Sequence, residues 1–381
     1  MDHPKYSSLM AVLNGVPDPR KARGKQLEWD LIWGVIASAM LSHQRGAAAI
    51  AHWATRQAAT LLAAFRPTKG RVPSEATIRR ALQRVDLVAL ERQIAQLEQP
   101  AAAVSSQPGG EPLGYAIDGK HVRGAGAHGH STVLVSLVAH QDAQVMAQTA
   151  VAKKRHETQA VPTLLGERDL HGMVITMDAG LTQPKLATQI REQGGHYFMV
   201  VKRNRRQLYD ELTWFFTAPP APCDRPWRVV TTVNKGHGRL ETRTLTCTDD
   251  LDDYLIWPGV QQVLRRETER IELKTGEVTR AVTYGVTSLA AEDATPAQLA
   301  GLWRGHWAIE NRRHYVRDVT LGEDACQMHV GAAPQALAAV RNGLLSLLRQ
   351  AGWRNIAAGL RHYGTSITDT LQLIGIPSQR L

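Results

Sequence analysis

Three carboxylates carry the strongest chemical signal in the chain. Asp118 follows an apolar run in YAIDGK, Asp178 follows another in VITMDAG, and Glu310 stands in RGHWAIENRRHYVRD beside His306, Arg312, Arg313, His314 and Arg317. Aspartates at the ends of two strands project where the strands finish side by side, and their oxygens are hard ligands suited to Mg²⁺, with Mn²⁺ as a substitute. Two such ions roughly 3.5–4 Å apart can activate a nucleophile and stabilise the leaving oxygen of a phosphodiester. Glu310, from a later helix, would complete the shell. Any one of these acids has a bland reading as a strand-end turn or a rung of an ion-pair ladder; the trio together points to metal-dependent phosphoryl transfer. A rival set, His306, Glu310 and His314 at four-residue spacing, offers zinc ligands. Its spacing is not that of HExxH, and the arginines around it disfavour a further cation.

Cations accompany the acids. Lys120, Lys202, Arg203, Arg205 and Arg206 follow strand ends expected to open on one edge, where they would hold a phosphate backbone. On the helix carrying Glu310, His306, Arg313 and Arg317 fall near the glutamate's face. They are expected to hold a phosphate backbone beside the metals, although Arg317 has a structural alternative in a pair with Glu323 or Asp324. Arg79, Arg80 and Arg84 form the basic side of a helix that Ser74 can cap. A short helix, a turn and this helix would suit a major groove, and a solvated helical cap is the equal alternative.

The elements that must position these residues follow from periodicity and punctuation. Residues 1–99 read as an all-helical domain, with helices over Leu27–Leu41, Ala47–Ala64 and the stretch after Ser74. Residues 100–113, rich in Pro, Gly, Ser and Ala, read as a linker. Residues 114–203 read as three strands in an antiparallel meander, a helix (Thr158–Leu165), a strand, a helix (Pro184–Gln193) and a strand, with Gly119 allowing a tight turn after Asp118. That is the order of a ribonuclease-H-like α/β core with a mixed sheet. Residues 204–289 read as a β-rich insertion built on hairpins around Lys-Gly-His-Gly and Lys-Thr-Gly-Glu. Residues 290–381 read as the helical completion of the core, with one helix from Ala297 to Val316 carrying Glu310.

Composition sets the outer bounds. The chain of 381 residues is 43% hydrophobic and 21% charged, an ordinary globular balance. A net charge of +10 and a pI near 9.7 point to a polyanionic partner, most simply nucleic acid. Three scattered cysteines without a CxxC pair argue against a disulfide framework. No secretory start and no apolar run of membrane-spanning length are visible, which leads to the expectation of a cytoplasmic protein without membrane contact.

The stretches VPDPRKARGKQ, VPSEATIRRALQRVD, AIDGKHVRGA, VITMDAGLTQPKLA, HYFMVVKRNR, YGVTSL and above all RGHWAIENRRHYVRDVTLGEDACQM run through nearly the whole chain. On them the chain resembles the DDE transposases of bacterial insertion sequences, specifically the H-repeat-associated or ISAs-type subgroup. The resemblance implies a ribonuclease-H-like core with a β insertion, a family-associated N-terminal helical domain, and a metal-bound triad at Asp118, Asp178 and Glu310. It implies cleavage of double-stranded DNA at terminal inverted repeats and transfer of the 3′-OH into target DNA, by a homo-oligomer, a dimer, assembled on DNA. The alternative is a transposase-derived DNA-binding protein whose chemistry is unused. Two departures stand out. The broader group's Tyr, Arg, Glu, Lys signature is met by Trp303, His306, Glu310 and Arg317, and Leu181 takes the place of a histidine in the subgroup's DAxHTQ run.

Overall fold

The structure is a computed structural model describing residues 8–21, 23, 25–97, 112–122, 132–151, 157–218, 227–251, 255–309 and 314–377. Glu310 and Arg313 lie outside the described residues, as does the expected linker except for its last two positions.

The described strands form one nine-stranded sheet. They are β1 (Leu113–Val122), β2 (Thr132–Ala139), β3 (Val145–Val151), β4 (Met173–Met177), β5 (His196–Val201), β6 (Arg228–Gly236), β7 (Arg239–Thr248), β8 (Gln262–Glu272) and β9 (Val278–Thr287), in the spatial order β3-β2-β1-β4-β5-β9-β8-β7-β6. The first five make the ribonuclease-H-like unit: β1, β2 and β3 are antiparallel, and β4 and β5 run parallel to β1. Strands buried on both faces read as unbroken apolar runs, and MVITM and HYFMVV are such runs.

The expected insertion does not stand apart from that unit. β9 pairs antiparallel with β5, from Phe198↔Thr287 to Val201↔Tyr284, so the hairpins prolong the core sheet. Each hairpin was placed by its turn; at β6–β7 both His237 and Gly238 have positive φ, the backbone a tight hairpin turn requires. Gly119 was expected in a turn, yet β1 continues through it to Val122. A Cβ at Gly119 would lie 2.5 Å from Glu157 Oε1, so the bare backbone makes room for that carboxylate.

Helices cover both faces. α7 (Glu157–Leu165), α8 (Pro184–Glu192) and α9 (Arg206–Thr217) bury Leu164, Ile190 and Phe215 with Ile117, Ile175 and Met199 of the sheet. On the other face α10 (Pro296–Ile309) packs Leu299, Leu302 and Trp303 on Val174, Phe198 and Leu264.

A second body is wholly helical. Its parts are α1 (Leu9–Asn14), α2 (Trp29–Leu41), α3 (Ala47–Arg56), α4 (Ala58–Phe65), α5 (Glu75–Arg84) and α6 (Leu87–Leu97), joined by α11 (Ala333–Gln350), α12 (Ile356–Thr365) and α13 (Ile367–Ile374). Leu9, Trp33, Ile50, Ile78 and Ile94 share one core with Leu337, Leu344, Leu360 and Leu371. The late helices therefore complete the N-terminal core, whereas sequence had placed them with the catalytic one. The single helix expected over Ala47–Ala64 is two, divided at Gln57, which caps one and starts the other.

Candidate active site

The parallel pairing of β1 and β4 ends at Ile117↔Met177. Asp118 and Asp178 are the next residues on the two strands, side by side at one edge of the sheet. Strand alternation turns both to the α10 face, as it does Thr176 two residues earlier. Asp178 is exposed and opens a turn that is closely held. Its Oδ1 accepts from Leu181 N at 3.0 Å. The Thr182 hydroxyl lies 3.0 Å from Asp178 O and 2.7 Å from Val200 O. From the next turn, Asn204 Nδ2 donates to Ala179 O at 2.6 Å and Arg205 Nε to Thr182 O at 2.7 Å. Asp118 Oδ1 accepts from Gly119 N at 2.8 Å, and His314 Nδ1 lies 3.5 Å from Asp118 Oδ2.

Beneath the aspartates lies a buried polar seam. The Thr176 hydroxyl meets His140 Nε2 at 2.9 Å, His306 Nδ1 at 3.0 Å and Tyr115 O at 3.3 Å. Burial, with His306 nearby, pushes His140 down to about 3. Burial also lowers His306, although the charge of Asp178 and the Thr176 contact work against it. Both imidazoles are thus neutral near pH 7 and fix the height of α10 over β4 through one hydroxyl. Thr176→Val keeps the shape and removes that partner from two buried nitrogens, each worth about 1–3 kcal/mol when left unsatisfied. The expected result is a loss of roughly 2–5 kcal/mol in urea denaturation, largely recovered by Thr176→Ser.

A second seam lies beyond Asp118. Arg317, in a π-helical turn over Val316–Thr320, donates from Nε (3.0 Å) and Nη2 (2.8 Å) to the two carboxylate oxygens of Glu323. Arg341 of α11 lies 3.6 Å from the same carboxylate. Lys120 of β1 reaches Glu323 at 3.3 Å and is also ion-paired with Asp318. Burial alone would raise Glu323, but Arg317, Arg341 and Lys120 outweigh it and hold the carboxyl at about 2.

A family model described as "Transposase DDE domain" matches residues 109–346, more than half of the chain, and one described as "DDE_Tnp_1-associated" matches residues 10–97. The chain belongs to the DDE transposase family. Among relatives of this DDE chain, "Putative transposase YncI" of Escherichia coli O157:H7 is 28% identical over 76% of this chain and 74% of its own. "H repeat-associated putative transposase YhhI" of Escherichia coli K12 is 29% identical over 63% of this chain and 62% of its own. A chain in the "Cryo-EM structure of piggyBac transposase synaptic complex with hairpin DNA (SNHP)" is similar over 93% of this chain and 75% of its own, with a TM-score of 0.41 and 8% identity, a likeness too loose to bear on mechanism.

For a DDE transposase, the cations expected on DNA sort by burial. Arg317 is 1% exposed and bound to Glu323, and Lys120 is 6% exposed in the same network. Both spend their charge inside the fold and not on a phosphate: Lys120 ties the segment after Glu310 to β1, which corrects the expectation, and Arg317 braces that segment on Glu323, the structural alternative named for it. His306 is likewise withdrawn, held on Thr176 beneath Asp178 through its Nδ1. Arg205 spends its Nε on the Asp178 turn. Lys202, Arg203 and Arg206 are exposed, Arg203 over the Tyr209 ring and Arg206 at 3.6 Å from Asp210. Arg79, Arg80 and Arg84 are exposed on one side of α5, opposite buried Ile78, Ala81 and Leu82, with Arg79 paired to Glu75. Leu181 turns its side chain into the core, and its backbone N–H is what grips Asp178.

Among the described residues no three His, Cys, Asp or Glu side chains gather to hold a metal ion. Asp118 and Asp178 supply a pair of hard oxygen donors of the type Mg²⁺ takes, and the third expected donor, Glu310, lies outside the described residues. No helix among the described residues is long and apolar enough to cross a membrane.

Proposed function

We propose that this protein is an active insertion-sequence transposase that cuts double-stranded DNA at the element's terminal inverted repeats and joins the freed 3′ ends to target DNA. The observation that carries this reading is the register of β1 and β4, which sets Asp118 beside Asp178 on an exposed edge, with His314 against Asp118. Asp118, Asp178 and Glu310 would hold divalent Mg²⁺, or Mn²⁺ in its place. When bound, the ions would activate the attacking oxygen and neutralise charge on the phosphodiester. In the first step a water oxygen attacks phosphorus, the bond to the 3′ oxygen breaks and a 3′-OH is released. In the second that 3′-OH attacks a target phosphodiester and displaces its 3′ oxygen. Lys202, Arg203 and Arg206 would line the exit of the strand, and Arg313 would lie beside the triad. The chain would act as a homo-oligomer, a dimer, on DNA.

The test is a plasmid carrying the DNA that flanks this gene, incubated with the protein and Mg²⁺. Breaks confined to the repeat ends are expected, and an intact plasmid across metals and flanking lengths would sink the reading. Arg79, Arg80 and Arg84 would add phosphate contacts from α5. Replacing all three by alanine should lower the slope of log affinity against log salt by roughly three, at about 0.9 per contact. An unchanged slope in a fluorescence titration would leave them as surface solvation.

A further inference from the structure

The strands β6–β9 run past the core. β5 stops at Val201, opposite Tyr284, whereas β9 begins at Val278, so its residues 278–283 pair only with β8. This overhang projects from the edge where Asp118 and Asp178 stand, because β5 runs parallel to β4. Its two faces differ in charge. On the outer face Arg265 pairs with Glu267 and Arg280 with Glu269. The face shared with α10 and the aspartates holds Arg239, Arg243, Arg266 and Arg270 against Glu241 and Glu272. Four arginines against two glutamates leave two positive charges uncompensated.

Those charges are held together at a cost. Arg239 faces Glu272 across the ladder at the tip. Glu241 then serves two arginines, Arg243 at 2.7 Å and Arg270 at 3.2 Å. Arg266 is ion-paired with no carboxylate among the described residues and lies over the Trp303 ring of α10, 4.3 Å from its centroid. Burial and the like charge of Arg243, only partly offset by Glu241, lower it to about 10. Arg243 Nη1 and Arg266 Nε are buried and meet no acceptor among the described residues. Cations packed this way raise the local potential and are stabilised by an incoming anion.

We propose that this face of β7 and β8 binds a backbone phosphate of the DNA strand that leaves the carboxylate edge, through Arg243, Arg266 and Arg270. It rests on the reading of the chain as a DNA-processing enzyme. Three strand spacings and two residues separate Asp178 from Arg266, roughly 16 Å.

The test uses the full chain and a short fluorescein-labelled duplex of mixed sequence, without divalent metal, so that binding is read apart from catalysis. Arg243→Ala with Arg270→Ala should weaken binding about tenfold and lower the salt slope by about one, the loss of one phosphate contact, while Arg243→Lys with Arg270→Lys keeps most of the slope. Glu241→Gln should have the opposite sign, tightening binding and steepening the slope, because it frees two guanidinium groups. A merely structural cluster would lower the melting temperature in Glu241→Gln and leave binding unchanged. Wild-type affinity and slope in the double alanine variant, or no gain from Glu241→Gln, overturns the proposal. Failure of the plasmid to be cut, with these binding shifts intact, would instead count against the catalytic reading alone.

Discussion

Asp178→Ala is expected to lower strand cleavage at least about a thousandfold while leaving DNA binding intact. A carboxylate that anchors a metal beside the scissile phosphate contributes several kcal/mol to the transition state, and each 1.36 kcal/mol is about tenfold in rate. The fold has little at stake at this position. Asp178 is exposed, and the hydrogen bond its side chain takes from Leu181 N is worth about 1 kcal/mol. Removing a negative charge also lessens repulsion of the phosphate backbone, so affinity should hold or rise. Single-turnover cleavage and a fluorescence titration on the same preparation check both halves. Cleavage at the wild-type rate in Mg²⁺ would remove Asp178 from the metal site.

Glu323→Ala is expected to have the largest effect on stability. The carboxylate is 2% exposed and is contacted by Arg317, Arg341 and Lys120. Deleting it leaves buried cations facing one another, at about 3–5 kcal/mol, a large share of the roughly 5–15 kcal/mol that holds a typical domain. Arg317→Lys should also melt lower, because an ammonium cannot reproduce the two-pronged contact, and cleavage should fall only as far as the folded fraction does. The same network has a pH signature. The folded Glu323 carboxyl titrates at about 2, below its ordinary 4.5, so its stabilisation is complete above pH 4.5 and drains away as pH falls towards 2. About 3 kcal/mol is lost over that interval, and denaturation at pH 6 and at pH 3 should show Glu323→Gln to be far less acid-sensitive than wild type. Equal sensitivity would place the acid-labile group elsewhere.

How far the sequence could be read depended on whether a feature was local. Asp118 and Asp178 were legible because each interrupts an apolar run, and the hairpins because Lys-Gly-His-Gly and Lys-Thr-Gly-Glu are turns between alternating segments. What charge means was not legible. Lys120 and His306 look like solvent-facing cations in a linear chain, and only their distant partners, Asp318 and Glu323 for one and Thr176 for the other, show that they are engaged inside the fold, whereas the Arg317–Glu323 pair, six residues apart, was open as one of two readings. The seam of His140, Thr176 and His306 joins three remote segments with no common motif. The arginines of β7 and β8 likewise gain meaning only when the register brings them onto one face. Strand pairing is another long-range fact, which is why the insertion could be read as β-rich but its pairing with β5 could not.

The shared core of the two groups of helices bears on how the chain is made. Leu9, Trp33 and Ile94 cannot finish burying themselves until Leu337, Leu344 and Leu371 arrive, more than two hundred residues later in synthesis. During translation α1–α6 would leave the ribosome with an apolar flank still open, while the sheet between them could already close on its own helices. An apolar flank left open in this way is prone to stick to other nascent chains until the late helices cover it. A ribosome stalled before Ala333 would release a protein whose aspartates are in place but whose helical body is unfinished.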